Sequence, residues 1–278
     1  MEERKQRERD FHDKWRGELQ PTGDPRYNAY RKWYTAGQHA EDWLVGWLRC
    51  HSAGKDILDL ACGEGDMSIR SAKAGGTVTG IDLSNTSIEL ARRKAGEAGV
   101  TAAFQVGDAE NTGFPSQMFD IVICAGVLHH MDPARAFREV ARVLKSDGTV
   151  IALEALGHNP LINLYRRLTP YLRSPDERPL RMEEIEIARE YFEQVELRFF
   201  NLMTLAAAPL WRTPLCKPAV SFLQAIDSVL LRIPGLRRHA WMVGLLLKKP
   251  KSAPVVTMPS GGHSLKEPAL VNREVARP

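Results

Sequence analysis

The residues best suited to chemistry begin in one stretch. Ile57-Leu58-Asp59-Leu60-Ala61-Cys62-Gly63-Glu64-Gly65-Asp66 passes from apolar to small residues within one turn's length. Glycine permits a tight backbone turn and lets a ligand approach the main chain with no Cβ in the way. A plain strand-to-helix turn has the same composition, so the glycine pair alone is weak evidence for a nucleotide-type site. Asp82 is a second feature. It closes the next apolar run, where a carboxylate can accept hydrogen bonds from both hydroxyls of a ribose, as acids do at this place in dinucleotide-binding folds. Further on, His129 and His130 follow another apolar run and Glu154 ends a later one. A histidine there could act as a general base, since its pKa lies near working pH, with His130 the first choice. The other reading is that the pair only packs or bonds the backbone beneath a ligand. The four cysteines form no CxxC pair and show no ligand-like spacing with the eight histidines, so neither a metal site nor a disulfide framework is expected.

These residues need elements to hold them. From Trp33 to Cys50, Ala36, Ala40, Trp43, Leu44, Trp47 and Leu48 recur at three and four, the period of an amphipathic helix. Strands are then expected at Asp56 to Ala61, Thr77 to Ile81, Ala102 to Val106, Phe119 to Ala125 and Thr149 to Leu153. Helices are expected at Asp66 to Ala74, Ser84 to Ala98 and Pro133 to Leu144. Such alternation implies parallel βαβ units. Leu180 to Tyr191 reads as helix, and Gln194 to Phe200 and His239 to Leu247 as strands. The expected fold is α/β, a Rossmann-like, seven-stranded, mostly parallel sheet with helices on both faces. A helical cap, about 201–238, is inserted between the last two strands. Residues 1–32 are expected as a mobile arm with at most a short helix, 33–249 as the main domain, and 250–278 as a disordered tail.

With those elements in place, the motifs resemble the class I, UbiE-like methyltransferases that use S-adenosylmethionine. The family's first loop reads Asp/Glu-x-Gly-x-Gly-x-Gly, and Asp59, Ala61, Gly63 and Gly65 stand in those places, with Ala61 departing from glycine. Phe119 to Ala125 resembles the family's fourth strand, and Val127-Leu128-His129-His130-Met131-Asp132 the segment after it. Arg142-Val143-Leu144-Lys145-Ser146-Asp147-Gly148 resembles its Arg-Val-Leu-Lys-Pro-Gly-Gly turn. The likeness spans Asp56 to about Glu154. It implies S-adenosylmethionine as cofactor, with Asp82 and Leu83 at the ribose, Asp108 at the adenine amino group, Ala109 at the ring, and Cys124 lining the site. It also implies a lid over the cofactor ahead of the first helix, where Tyr27, Tyr30, Trp33 and Tyr34 lie. An aromatic face attracts a sulfonium, although these rings could equally fix the arm to the core. A nicotinamide-dependent oxidoreductase is a rival, but Ser68 occupies the third glycine's place, and Glu64 and Asp66 would repel a pyrophosphate while tolerating a sulfonium. A second rival is a non-catalytic, cofactor-binding partner protein.

An apolar fraction of 44% and a net charge of +4 give no argument for nucleic acid. The charge is unevenly placed, since residues 201–250 hold Arg212, Lys217, Arg232, Arg237, Arg238, Lys248 and Lys249 against Asp227 alone. An apolar, basic cap fits a lid around a small or lipid-like substrate, a peripheral membrane contact or a homodimer interface. Interruptions by proline and charge exclude a spanning helix there. The expected activity is methyl transfer to a small or hydrophobic organic acceptor, oxygen first, in the cytoplasm. Met1 to Asp10 mixes both charge signs, unlike a secretory leader.

Overall fold

A computed structural model describes residues 3–18, 25–170 and 178–251, with the side chains of 15–18, 25–32, 34 and 36 outside that description. The sheet has seven strands: β1 (Asp56–Leu60), β2 (Thr77–Asp82), β3 (Ala103–Val106), β4 (Phe119–Ala125), β5 (Leu144–Ala155), β6 (Phe192–Phe200) and β7 (Met242–Pro250). Their order is β3-β2-β1-β4-β5-β7-β6. β1 pairs in parallel with β2 and β4, β2 with β3, and β4 with β5, while β7 runs antiparallel to both β5 and β6. The expected Rossmann-like architecture is thus observed. The order reverses between β1 and β4, and ligands in open sheets of this kind lie beyond the carboxyl ends of the strands at such a switch.

Side-chain alternation along the strands feeds two cores. On one face, Ile57, Val78, Ile121, Ile123 and Ile151 pack with Ala40, Leu44 and Leu48 of α2 (Pro25–His51). On the other, Leu58, Leu60, Val122 and Val150 pack with Ala136, Phe137, Val140 and Val143 of α5 (Pro133–Val143). Leu44, Leu48, Ile57 and Leu58 are fully buried, each burial contributing about 1.5–3 kcal/mol. Between β1 and β3 lie α3 (Asp66–Lys73) and α4 (Asn85–Glu97). Ser84 caps α4 by accepting the Ser87 amide at 3.0 Å. Such a cap is typically worth ~1 kcal/mol. Pro133 starts α5 behind the Asp132 cap, where its missing N–H costs nothing.

Several boundaries differ from the sequence expectation. α2 starts at Pro25 rather than Trp33, and Glu3–Glu18 forms a helix of 16 residues, α1, where a mobile arm was expected. β5 starts at Leu144, because the turn before Thr149 already pairs with Phe119 of β4. The 180–191 helix is two short pieces, α7 (Met182–Glu186) and α8 (Ala188–Tyr191), preceded by α6 (Pro160–Leu168). β7 starts at Met242 rather than His239, since the Trp241 amide donates to Asn201 O at 3.0 Å instead.

The insertion between β6 and β7 is helical, with a 3-10 segment Thr204–Leu210, α9 (Cys216–Leu230) and α10 (Pro234–Arg237). Asp227 fixes its entry, its carboxylate accepting the Leu202 and Met203 amides at 3.0 and 2.7 Å. It lies beside the β7-β6 edge, where Leu205 joins Phe200 and Met242 in the core cluster of α2. No helix among the described residues is long and apolar enough to cross a membrane. Residues 252–278, where the tail was expected, lie outside the described residues.

Candidate functional site

The turn after β1 has the geometry its small residues allow. Ala61, Gly63 and Gly65 have φ of 52°, 55° and 83°, all in the left-handed region that favours glycine. At Gly65 an added Cβ would also stand 3.1 Å from Ala91 and 3.2 Å from Phe104. Asp82, at the end of β2, holds this turn with both oxygens: one accepts the Gly63 amide at 2.9 Å, the other the Ser84 amide at 2.9 Å. The sequence-predicted Asp82 and glycine loop are therefore brought together. Leu83 follows, half-buried, between Asp82 and the α4 cap.

Asp59 sits beneath the loop, buried, accepting the Ser68 hydroxyl at 2.6 Å. Burial pushes its carboxyl up to about 7; the Ser68 hydrogen bonds pull the other way, and the charges of Asp82 and Asp66 add to the rise. Ser68, whose place a dinucleotide loop gives to glycine, thus has a hydrogen-bonding role here. Glu64 and Asp66 are not bare charges: Lys94 reaches them at 2.5 and 3.5 Å. Their repulsion of a pyrophosphate is weaker than the sequence suggested, because it ignored this partner from α4.

On the far side of the loop, Asp108 follows β3. One of its oxygens accepts the Glu110 amide at 2.9 Å, and the other the Lys5 ammonium at 2.8 Å. Lys5 also meets Glu110 at 2.8 Å, and Arg4 meets Glu110 at 2.5 Å and the His130 carbonyl. Burial by itself would raise the Glu110 carboxyl, but hydrogen bonds from Lys5, the Asp132 amide and Arg4 outweigh it and hold the group below the usual carboxylate range. Asp13 accepts the Ser84 hydroxyl at the other end of the same helix. α1 is therefore the element lying over Asp108 and His130. The 3-10 segment of the insertion packs on α2, beside the strand edge opposite β2 and β3. Among the described residues, α1 docks largely through charge, and it lacks the apolar periodicity that would have announced it.

His129 and His130 form a single 3-10 turn, Leu128–His130, directly after β4. Glu154, fully buried at the end of β5, accepts the Val127 and Leu128 amides at 2.8 and 2.9 Å and meets His129 Nδ1 at 2.7 Å. With Nδ1–H donating to that carboxylate, the proton-accepting nitrogen of His129 is Nε2. His130 instead turns its Nδ1 toward Glu8 of α1, at 3.3 Å. Both rings face an acid, but His129 is the one whose Nδ1 is hydrogen-bonded to its carboxylate. Cys124 is fully buried and its thiol is pushed well up by burial, with Glu154 and Asp59 nearby adding to the shift, which keeps the thiol neutral in the core. Ala109 is buried against the same core. Trp33 packs against Tyr165 with ring centroids 5.0 Å apart and planes tilted by 54°, whereas the side chains of Tyr27, Tyr30 and Tyr34 lie outside the described residues.

Residues 58–152 match the methyltransferase domain family. The chain is 36% identical over 126 residues to a ubiquinone biosynthesis O-methyltransferase of Pseudomonas aeruginosa, covering 44% of this chain and 53% of that protein. It thus spans about half the length of the curated relatives it matches. Among solved structures, it resembles the magnesium protoporphyrin IX methyltransferase of Synechocystis with bound S-adenosylhomocysteine, with a TM-score of 0.59 and 18% identity over 88% of this chain and 99% of that one. It resembles a [4+2]-cyclase, SpnF, with a TM-score of 0.52 and 21% identity, over 77% of this chain and 84% of that one. At these identities the structural likenesses establish the fold.

Proposed function

We propose that this chain, whose residues 58–152 match the methyltransferase domain family, is a class I, S-adenosylmethionine-dependent methyltransferase, and that it methylates an oxygen of a small or lipid-like organic acceptor. The observation that carries the reading is the Asp82 carboxylate clamped to the Gly63 and Ser84 amides, which presents an acid at the mouth of a left-handed turn.

The site's residues fit the cofactor. Asp82 and the buried Asp59 stand at a turn with little side-chain bulk, which suits a cationic sulfonium and an ammonium. In the proposed assignment, Asp82 and Leu83 hold the ribose, Asp108 and Ala109 the adenine, and Asp59, Ala61, Gly63 and Gly65 the methionine part. Lys5 already engages Asp108, so adenine has to share that carboxylate with it. When bound, S-adenosylmethionine supplies a methyl carbon made electrophilic by the adjacent sulfonium. The protein's part is then alignment and exclusion of water. α1 provides cover on the Asp108 side, and His129, held by Glu154, can take the acceptor's proton at Nε2.

Oxygen as acceptor atom is supported by the O-methyltransferase name of the Pseudomonas aeruginosa relative. A hydrophobic acceptor is supported by exposed Leu161, Leu164 and Leu168 on α6 and Phe222 and Val229 on α9, together with the basic charge of the insertion. Incubation with methyl-labelled S-adenosylmethionine and a lipid extract of the host tests the proposal, with label expected in an organic-soluble product bearing a methyl ether. Binding of the cofactor without labelled product, beside a working control enzyme, would favour the non-catalytic partner protein. Tighter binding of a nicotinamide cofactor would favour the oxidoreductase.

A further inference from the structure

Glu8, His12 and His130 meet at the junction of α1 with the turn after β4. Glu8 and His12 are one helical turn apart, and so project from the same face of α1. Glu8 Oε2 lies 3.3 Å from His130 Nδ1 and 3.7 Å from His12 Nε2, and the three donor atoms all lie within 4.8 Å of one another. A tetrahedral zinc ion, with bonds of about 2.0–2.1 Å, separates its ligands by about 3.3 Å. The Glu8 pairs are therefore close to coordination distance. Glu8 is buried, and the His130 Nδ1 atom is buried with no hydrogen bond among the described residues.

We propose that Glu8, His12 and His130 bind a divalent transition-metal ion that fastens α1 to the turn carrying His129 and His130. Two imidazoles and a carboxylate, without thiolate, suit zinc, cobalt or iron rather than calcium or magnesium. Three protein ligands leave a coordination position for water, as in open zinc sites. The His130 ring lies 4.1 Å from that of His129, whose Nδ1 is fixed by Glu154, so the support behind the proposed ligand is itself ordered. Linear spacing could not reveal the site, because its third ligand is supplied by a distant segment.

Cobalt(II) titration of the full, metal-stripped chain tests this without reference to methyl transfer. One equivalent should bind and give the visible absorption of low-coordinate cobalt. His12→Ala, at a half-exposed position, should weaken binding by about 10-fold or more with an unchanged far-UV spectrum, and Glu8→Gln should do the same. His51→Ala, on the exposed end of α2, should bind as the parent does. Absence of saturable binding, or equal affinity in parent, His12→Ala and Glu8→Gln, would overturn the assignment.

Discussion

Asp82 Oδ2 accepts the Gly63 amide at 2.9 Å, so the end of one strand fixes the turn that follows its neighbour. The other oxygen accepts the Ser84 amide, and neither bond survives truncation. Asp82→Ala is expected to weaken S-adenosylmethionine binding by about 10- to 100-fold, since charged hydrogen bonds are worth about 1.5–3 kcal/mol. Calorimetry beside a circular-dichroism check reads this, and unchanged affinity in a folded variant would mean that the loop is misassigned.

Backbone conformation gives a paired prediction in the same loop. Ala61 has φ of 52°, where the family motif places glycine, so Ala61→Gly should relieve strain and raise stability or leave it unchanged, within about 1 kcal/mol. Gly65→Ala should do the reverse, by about 1–3 kcal/mol, because φ of 83° coincides with close approach to Ala91 and Phe104. Urea midpoints of the two variants should therefore move in different directions, or only the second should move.

The buried Asp59 makes stability depend on pH. Its carboxyl is raised from 3.8 to about 7, so between those values the folded state binds the extra proton. Stability from this group therefore falls as pH rises from about 4 to about 7, by on the order of 4 kcal/mol at most. Asp59→Asn keeps an oxygen for Ser68 and cannot titrate. The parent should lose more stability than this variant between pH 5 and pH 8 in urea unfolding, and parallel curves would contradict the burial argument.

The two histidines should separate by role. His129→Ala is expected to lower kcat by about 100-fold, the lower end for general-base removal, with cofactor affinity unchanged. Glu154→Gln removes the oriented charge beside His129 and should lower kcat in the same direction. Glu154→Ala should in addition cost about 3 kcal/mol or more of stability, because the Val127 and Leu128 amides lose their buried acceptor. Normal kcat in His129→Ala would assign the pair a packing role.

The sheet and the glycine loop were legible because their signals are local. β4 runs over the expected residues, and the Ser84 cap and the proline start of α5 are visible in a few neighbouring positions. α1 was not legible, since Arg4, Lys5 and Glu8 look like ordinary solvated charges until Asp108, Glu110 and His130 are set opposite them. The same limit applies to Lys94 beside Glu64 and to Glu154 beneath His129. The insertion was placed in the right connection, but the packing of Leu205 with the α2 cluster was not legible. Connectivity names the edge from which a segment emerges, whereas side packing decides where it goes.

Titration of the full chain with S-adenosylmethionine is the most direct measurement of the central claim. The loop clamped by Asp82 predicts saturable binding of one equivalent, at about micromolar Kd. No saturation up to about millimolar cofactor, in a chain shown to be folded, would contradict it.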